Sequence, residues 1–495
     1  MRSIRALALA AAALAVGALV WLIARRMAYP YDLEWLEGAT LWHAQRLRDG
    51  QPLYPPPSLD FVPHPYTPLY PWLLAQLGRV FGVSYVVGRA LSVAAFAGAL
   101  VVGWRFGRRL RASPALATAA LAIPCAAYVP TGAWIDLVRV DSVWLLLAAA
   151  GTTIAWPAQD PPNDDSRHHW RPVAGALLLV AAFFAKQTAA PLMLAVAVAL
   201  VVVDRRAAAT FVATLAAIGL PALWLMQRAT DGWFWFYIYR VHHSHPFSLL
   251  MASYVPGRLA LLLLPALPLT AWALVRARAD VDLRYAAWLA GVGVAVSSVA
   301  KGTWGAYTNA LLPGVYFGAL FIAVAASRLV DDRHPRRAAL AWALVAATIL
   351  TAPGLVPRLI QLAHPSTYHV HQANGYEPAT ELPAAEDREA TAQLIARLRA
   401  VDGDVWLPSH AWYARLAGKR PLAGEMGADD LALAGVSVRG FDDAVQTRRF
   451  AAVVVDEPVN LRLQPLFGRS TATQLLGPAR DDSNRRRPVW WLVPR

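Results

Sequence analysis

Apolar runs long enough to cross a lipid bilayer recur along this sequence. Two of them are ALALAAAALAVGALVWLIA from Ala6 and RPVAGALLLVAAFFAKQTAAPLMLAVAVALVVVDRR from Arg171. About 20 consecutive apolar residues match the hydrocarbon thickness of a bilayer. Only 16% of the residues are charged, whereas soluble domains carry about 25%. The chain lacks the charge that a water-facing surface needs, so we expect an integral membrane protein.

The spacing of these runs predicts an all-α polytopic membrane domain of about eleven transmembrane helices. A small C-terminal α/β domain follows it. The predicted helices lie near residues 6–24, 84–104, 114–132, 141–156, 172–187, 188–203, 207–226, 257–275, 285–301, 306–327 and 338–353. The first run is long for a cleaved signal sequence and lacks a clear small-residue cleavage site. We therefore expect it to remain as the first helix.

Basic residues are concentrated in alternate short loops, which predicts the orientation of the chain. The arginine-rich loops contain Arg105, Arg108, Arg109, Arg111, Arg167, Arg171, Arg205, Arg206, Arg276, Arg278, Arg284, Arg328, Arg333, Arg336 and Arg337. Loops rich in Lys and Arg remain in the cytoplasm, so an odd number of helices leaves the C-terminus outside. The net charge of +14 then reflects topology, and we expect no nucleic-acid partner. Arg25 and Arg26 are the exception, because they follow the first helix on the outer side.

The polar segments divide the chain into domains. Residues 1–356 form the predicted membrane domain, with a first outer loop at residues 25–83, and residues 357–384 have the Pro, His, Asn and Gly content of a linker. Residues 385–495 form the predicted extracytoplasmic α/β domain. Its helical signal is the spacing of Leu394, Ile395, Leu398 and Val401, and its strand signals are the runs from Val405, Phe450 and Val489. The single cysteine, Cys125, excludes disulfides and cysteine-based metal sites.

An acidic cluster follows the first predicted helix. Asp32, Glu34 and Glu37 fall within six residues, and Leu41, Ala44 and Leu47 then recur at helical spacing. Each acid alone is explained by the preference of carboxylates for helix starts. Three of them beside a bilayer surface also suit a general base, which takes the proton of an acceptor hydroxyl or amine.

Cationic side chains stand at three other helix ends that the topology places on the same side. Arg139 and Asp141 flank Val140, Lys186 lies between two apolar runs, and Lys301 precedes a glycine-containing turn that leads to Asn309. A local ion pair between Arg139 and Asp141, or a lysine that reaches the interface, would explain them structurally. The functional alternative is a set of cations that binds an anionic phosphate headgroup.

The aromatic loop DGWFWFYIYRVHHSHP contains a third group of polar side chains. His242, His243 and His245 cannot all face one ion from a regular helix or strand, so an interfacial or phosphate-contacting role suits them better than a zinc site.

The sequence resembles the polytopic C-type (GT-C) glycosyltransferases, in the bacterial branch related to protein O-mannosyltransferases and aminoarabinose transferases. The matching segments follow in order: the acidic loop YDLEWLEGATLWHAQRLRDGQPLY, YTPLYPWLLA from Tyr66, RVDSVWLLLAAAG, FFAKQT, KGTWGAYTNALLP and a C-terminal outer domain. The family's adjacent Asp-Glu pair is absent, because Leu36 precedes Glu37.

The resemblance implies a cell-envelope enzyme of the bacterial plasma (inner) membrane. Such an enzyme transfers a sugar, with inversion, from a polyprenyl-phosphate donor to a protein, lipid or glycan acceptor. It implies a first-loop base, which we rank as Glu37, then Asp32, then Glu34, and a donor phosphate held by Lys186, Arg139 and Lys301. Supporting residues would be Asp141, Tyr66, His243 and Asn309. No motif requires a cofactor or metal, although Asp32 and Glu34 could hold a divalent cation.

Two other classes of function remain open from the sequence. A transporter or lipid-handling protein would share the helices and some intramembrane charges, but it often shows two-fold internal repeats, which are not apparent here. A receptor or scaffold role for the outer domain is the third alternative. Turnover of a polyprenyl-phosphate sugar would separate the first class from the other two.

Overall fold

The computed structural model describes residues 2–157, 170–330, 334–355, 359, 381–447, 449–456, 470–474, 488 and 490–494. The predicted linker, residues 357–384, lies almost wholly outside the described residues, as do parts of the predicted C-terminal domain. The domain boundaries at residues 356 and 385 therefore stay predictions.

Helices make up most of the described chain, and each predicted apolar run has a helical counterpart. The helices of the first part of the chain are α1 (Arg2–Met27), α2 (Leu36–Arg48), α3 (Leu69–Phe81), α4 (Tyr85–Arg109), α5 (Pro114–Ala120), α6 (Ile123–Ala126), α7 (Asp141–Ala155), α8 (Trp170–Ala185) and α9 (Ala190–Val203). Those that complete the membrane domain are α10 (Arg205–Ala229), α11 (Leu249–Leu262), α12 (Leu267–Arg276), α13 (Val281–Gly302), α14 (Leu312–Leu329) and α15 (Pro335–Thr351).

The chain is a multi-pass membrane protein by length and composition, but the count of about eleven spans is not confirmed. Among the described residues, five helices are long and apolar enough to cross a membrane. Four more apolar segments have only 10–17 residues: Pro114–Ala126, Asp141–Ala155, Trp170–Ala185 and Gln187–Val203. The helix predicted near residues 257–275 is interrupted, because α11 and α12 meet at 81°. Pro265 lies at this bend, where proline removes a backbone donor and interrupts the helix.

The interior of the bundle is built around α14. Every residue from Leu312 to Ala326 is buried, as expected for a helix that is apolar on all sides and has neighbours on each. Glycines allow other helices to approach closely. A Cβ atom on Gly175 of α8 would lie 2.5 Å from the Cβ atom of Ala155 in α7.

The arginine-rich loops meet at one end of the bundle. Arg328, at the end of α14, pairs with Asp280 at 2.7 Å and donates to the Leu110 carbonyl at 2.9 Å. Arg109, at the end of α4, donates to the carbonyls of Thr153 and Trp156. The opposite termini of α4, α7 and α13 are Tyr85, Asp141 and Gly302. Those termini, and the polar residues predicted for the site, therefore lie at the opposite end.

The C-terminal part combines helices with a four-stranded sheet and contacts that opposite end. Its elements are α16 (Ala385–Ala400), β1 (Asp404–Trp406), α17 (Ala411–Leu416), α18 (Glu425–Leu433), α19 (Phe441–Gln446), β2 (Phe450–Val455), β3 (Ser470–Gln474) and β4 (Trp490–Pro494). The sheet order is β1-β2-β4-β3, with β1 parallel to β2 and β4 antiparallel to both neighbours. The predicted helix and three predicted strands are confirmed. α17 packs on α2 so closely that a Cβ atom on Gly38 would lie 2.8 Å from that of Trp412.

Candidate active site

Glu37 lies in the first turn of α2, where the sequence predicted a helix start. Its buried carboxylate forms a two-point ion pair with Arg89, with Nη2–Oε2 at 2.6 Å and Nε–Oε1 at 2.9 Å. The backbone N–H groups of Leu33 and Val138 also donate to it, at 2.8 and 2.9 Å. Each oxygen thus accepts two hydrogen bonds, which suits a structural anchor better than a base.

Asp32 is bound from two sides. His410 of the C-terminal part lies 2.7 Å from Oδ2, and the Tyr85 hydroxyl donates to Oδ1 at 2.8 Å. The other ring nitrogen of His410 is 3.3 Å from Oδ1 of Asp456. Burial lowers the pKa of His410, but Asp456 and Asp32 outweigh burial and raise this pKa to about 10. A positively charged imidazole therefore joins the first outer loop to the C-terminal sheet.

Glu34 differs from both neighbours because it keeps an oxygen for a further contact. Its carboxylate is fully buried, and Oε2 accepts the Leu36 N–H at 3.2 Å. Oε1 has no hydrogen-bond partner among the described residues. Burial raises the pKa of Glu34 to about 7, since the nearby charges of Glu37 and Asp32 reinforce burial and Arg139 opposes it only in part.

Arg139 is the cation that faces Glu34. Its Nη1 lies 3.9 Å from Oε2 of Glu34, and its Nη2 donates to the Tyr66 hydroxyl at 3.3 Å. The guanidinium also stacks 4.4 Å from the ring centroid of Trp134, a contact that holds it in place. Nε and Nη1 have no hydrogen-bond partner within the described part of the chain, so both can donate to a ligand.

Asp141, Lys186 and Asn309 form a group at the start of α7. The Lys186 ammonium and the Asn309 amide both donate to Oδ1 of Asp141, at 2.8 and 2.9 Å. The ion pair considered between Arg139 and Asp141 is not formed, because Asp141 binds Lys186 instead. Lys186 likewise does not simply reach towards the interface, as one reading of the sequence had it. Its side chain is 19% exposed, and an ammonium has three donors, so it can still bind an anion.

The other predicted residues lie further from these contacts. Lys301 donates to the Ala306 carbonyl at 2.6 Å and faces Arg258 of α11 rather than any predicted site residue. His243 is exposed and stacks on Tyr239. Its neighbour His242 approaches Tyr66 instead, with ring centroids 6.5 Å apart. The prediction of His243 as a supporting residue is therefore not favoured by its position.

The arrangement offers little to a metal ion. Across the described residues, no group of three or more His, Cys, Asp and Glu side chains is placed to hold one. Asp32 has both oxygens engaged and Glu34 keeps one, so together they form a poor ligand set for Mg²⁺ or Ca²⁺, which take six or more oxygens.

Sequence reasoning missed several residues that hold the site together. Arg89 had a usable signal, since a charge inside the apolar run of α4 has to be paired or face a cavity. Arg26 belongs here as well: it is fully buried, with Nε 2.8 Å from Asp136 and Nη1 3.1 Å from Glu381. These ion pairs account for the departure of Arg26 from the pattern of the arginine-rich loops. His410 and Asp456 gave no signal, because only the fold brings them to Asp32.

Comparison with known proteins gives matches in structure but not in sequence. No protein-family profile and no characterised protein matches the sequence. ArnT from Cupriavidus metallidurans, solved bound to undecaprenyl phosphate and in the apo state, is 15% identical with a TM-score of 0.60, over 97% of this chain and 97–98% of that chain. The Archaeoglobus fulgidus oligosaccharyltransferase in the apo form is 11% identical with a TM-score of 0.50, over 90% of this chain and 70% of that one. The chain therefore has the GT-C fold, as the resemblance implied.

Proposed function

We propose that this protein is a membrane glycosyltransferase that moves a sugar from a polyprenyl-phosphate donor to an acceptor on the extracytoplasmic face. The observation that carries the proposal is Glu34, a buried carboxylate with an unengaged oxygen that lies 3.9 Å from the cation of Arg139 in a GT-C fold. The undecaprenyl phosphate bound to ArnT supports the choice of a lipid phosphate as the carrier.

Glu34 is the general base in this proposal, ahead of Asp32 and Glu37. A base has to offer a free lone pair, and it works best when its pKa is near the working pH. Glu34 meets both conditions, with Oε1 unengaged and a pKa of about 7. Glu37 and Asp32 instead position the loop, through Arg89 and His410 respectively.

The transfer is a single displacement. The acceptor hydroxyl attacks the anomeric carbon while the bond from that carbon to the phosphate oxygen breaks. Glu34 takes the hydroxyl proton, and the phosphate leaves with the bonding electron pair. One base on the face opposite the phosphate suffices for inversion, and the transition state has oxocarbenium character.

The donor phosphate is held by cations. Arg139 has two nitrogens without a hydrogen-bond partner in the described residues, and Lys186 has donors beyond its contact with Asp141. Fixed positive charges stabilise the negative charge that develops on the leaving phosphate. Lys301, with Arg258 beside it, forms a second cationic group. The chain's own residues supply every group in this scheme, so a divalent cation is an option to be tested by chelation.

The proposed location is the bacterial plasma membrane with the C-terminal domain outside. The site lies at the end of the bundle opposite the arginine-rich loops, which the positive-inside rule assigns to the cytoplasm. The C-terminal domain contacts Asp32 at that same end, which supports an outer position for residues 385–495.

The decisive experiment offers purified protein a panel of undecaprenyl-phosphate sugars, with release of undecaprenyl phosphate as the measurement. We expect turnover of at least one donor, and a loss of about 10²–10⁴-fold in kcat on Glu34→Gln. Asp49→Asn is the matched control, because Asp49 is an exposed acid at the other end of α2. Absence of turnover with every donor, alongside transport of a lipid substrate, would favour the transporter class.

A further inference from the structure

The chain between α10 and α11 forms a short helical segment that the proposed reaction does not use. This aromatic segment, residues 233–244, consists of the consecutive turns Trp233–Trp235, Phe236–Val241 and His242–Ser244. Asp231 and Gly232 precede it, and both have a positive φ, of 49° and 92°. Residues in this conformation terminate a helix, so the aromatic segment is a separate element from α10.

One face of the aromatic segment is buried against the protein. Its buried side chains recur at helical spacing and are Phe234, Tyr237, Ile238 and Val241. The ring of Phe234 lies 5.4 Å from that of Tyr54, measured between centroids, and the Tyr237 hydroxyl donates to the Pro55 carbonyl at 3.1 Å. Both contacts are with the first outer loop, which carries Glu34. The aromatic segment therefore lies at the end of the bundle that contains the polar site.

The opposite face presents aromatic rings outwards. Trp235 and Tyr239 are 41% and 49% exposed, and their rings stack with centroids 4.7 Å apart. The exposed ring of His243 continues the stack, 5.8 Å from that of Tyr239. Trp and Tyr are enriched where a membrane protein meets the lipid headgroups, because each ring has an apolar body and a polar tip.

The exposed surface continues into the first turns of α11. Its apolar side chains there are Phe247, Leu249, Leu250, Met251 and Tyr254. Trp304 adjoins them, since it is exposed and its N–H donates to the Pro246 carbonyl at 2.9 Å. The sequence from residue 233 to residue 254 contains no Asp or Glu. A surface this rich in exposed apolar side chains marks an interaction site, and its composition suits phospholipids.

The position of α10 places this surface next to lipid. α10 is 25 residues long, and only 6% of its apolar stretch is buried inside the protein. It begins at the arginine-rich loops and ends at Ala229, so the aromatic segment starts where this span leaves the bilayer. The exposed rings therefore lie at the membrane surface and not far out in water.

We propose that the aromatic segment lies along the bilayer surface and binds the phospholipid headgroup layer. Trp235, Tyr239 and His243 lie among the headgroups, and Leu249 and Leu250 reach the upper acyl layer. Amphipathic helices at such interfaces bury their apolar face by about 5–10 Å. The exposed guanidinium beside Tyr239, that of residue 240, contacts lipid phosphates. The partner is the lipid surface itself, and the inference does not depend on the proposed sugar transfer.

The test measures the depth of single labels in the membrane. Cys125 is the only cysteine, so Tyr239→Cys and Leu250→Cys in a Cys125→Ala background each accept one NBD fluorophore. Both positions are exposed. The labelled proteins are placed in phosphatidylcholine vesicles that contain a nitroxide quencher just below the headgroup or near the chain end. We expect the shallow nitroxide to quench both labels at least about two-fold more strongly, given an insertion depth of about 5–10 Å.

Two matched labels calibrate the measurement. Asp402→Cys, at an exposed position of the C-terminal part, should be quenched by aqueous iodide and by neither lipid. Ile218→Cys, at an exposed position near the middle of α10, should be quenched more strongly by the deep nitroxide.

Two results at Tyr239→Cys or Leu250→Cys would overturn the inference. Quenching by iodide without an effect of either nitroxide would place the aromatic segment in water. Protection from iodide and from both nitroxides would show that protein, from this chain or another, covers the surface. All four variants are read on protein that elutes as a single species. The measurement needs no sugar donor, so its failure would leave the proposed function standing, and a protein without transferase activity could still pass it.

Discussion

Glu34 shows how burial sets the chemistry of a single carboxylate. Three acids lie within six residues, but the fold gives two of them strong partners and leaves one oxygen of the third unengaged. The neighbouring negative charges then act in the same direction as burial and keep the Glu34 proton bound up to near-neutral pH. Its one cationic neighbour is too distant, at 3.9 Å, to cancel both.

We expect the pH dependence of kcat/KM to follow this carboxylate. Because the base has to be deprotonated, kcat/KM should rise as pH increases through about 7 and fall about ten-fold per unit well below it. The measurement is a pH–rate profile from pH 5 to 9 at limiting donor. An acidic limb near pH 4, the ordinary range for Glu, would contradict the assignment of Glu34.

The Glu37–Arg89 pair has a structural role that its own substitution can reveal. Glu37→Gln leaves a buried guanidinium without its charge partner, so we expect a loss of about 3–5 kcal/mol in stability. Replacing both residues, as in Glu37→Leu with Arg89→Leu, should restore most of that loss. Thermal unfolding in detergent measures both effects. A fully stable Glu37→Gln protein without activity would return Glu37 to the role of base.

The sequence could not decide which of Asp32, Glu34 and Glu37 has a carboxylate oxygen free to act as the base. Sequence places all three carboxylates on one loop and predicts the cations at helix ends on one side. In the structure Arg139 contacts Tyr66, and Lys186 and Asn309 both contact Asp141. Which acid is free depends on Arg89 and His410, and these lie 52 and 378 residues away. Local spacing carries no information about such partners.

At the scale of helices and strands, hydrophobic periodicity predicted where a helix or strand occurs better than it predicted the length or the bend of that element. The position of each apolar run was sufficient to predict a helix, and β-rich runs predicted three of the four strands. The lengths of the helices were harder to predict. For example, α7 and α8 are short, and they contact each other closely at glycines. The 81° bend between α11 and α12 falls at Pro265, in a run whose apolar residues continue on both sides.

The contact between the C-terminal sheet and the first loop should make stability depend on pH. The pKa of His410 rises from 6.5 to about 10 in the folded protein. Its contribution is therefore complete below about pH 6.5 and is lost as pH rises through about 10. We expect the unfolding temperature to fall between pH 7 and 10, and the fall to be smaller in His410→Gln. Parallel slopes in the two proteins would show that another group is responsible.

At the scale of the whole molecule, sidedness is open to a direct test. Cys125 is buried, so Cys125→Ala gives a background without thiols. We expect Asp49→Cys in that background to react with a membrane-impermeant maleimide in intact cells. Ala279→Cys, in an exposed arginine-rich loop, should react only after the cells are opened. The reverse pattern would invert the topology and remove the site from the outer face.

The fold class was largely accessible from sequence because the bilayer imposes it. Hydropathy and arginine placement reflect the environment, and the environment acts on each helix separately. The placement of the C-terminal part over the first loop was not accessible, because it depends on shape complementarity between segments such as α2 and α17. That contact is also where the buried charges of Asp32 and Asp456 are compensated.

The bond between His410 and Asp32 has a consequence for biosynthesis. Asp32 leaves the ribosome early, and the residue that fixes it follows 378 positions later. The membrane helices can insert during this interval, but the loop that carries Glu34 lacks this contact until His410 has been translated. A chain that stops before His410 would thus be anchored in the membrane while Asp32 lacks this partner.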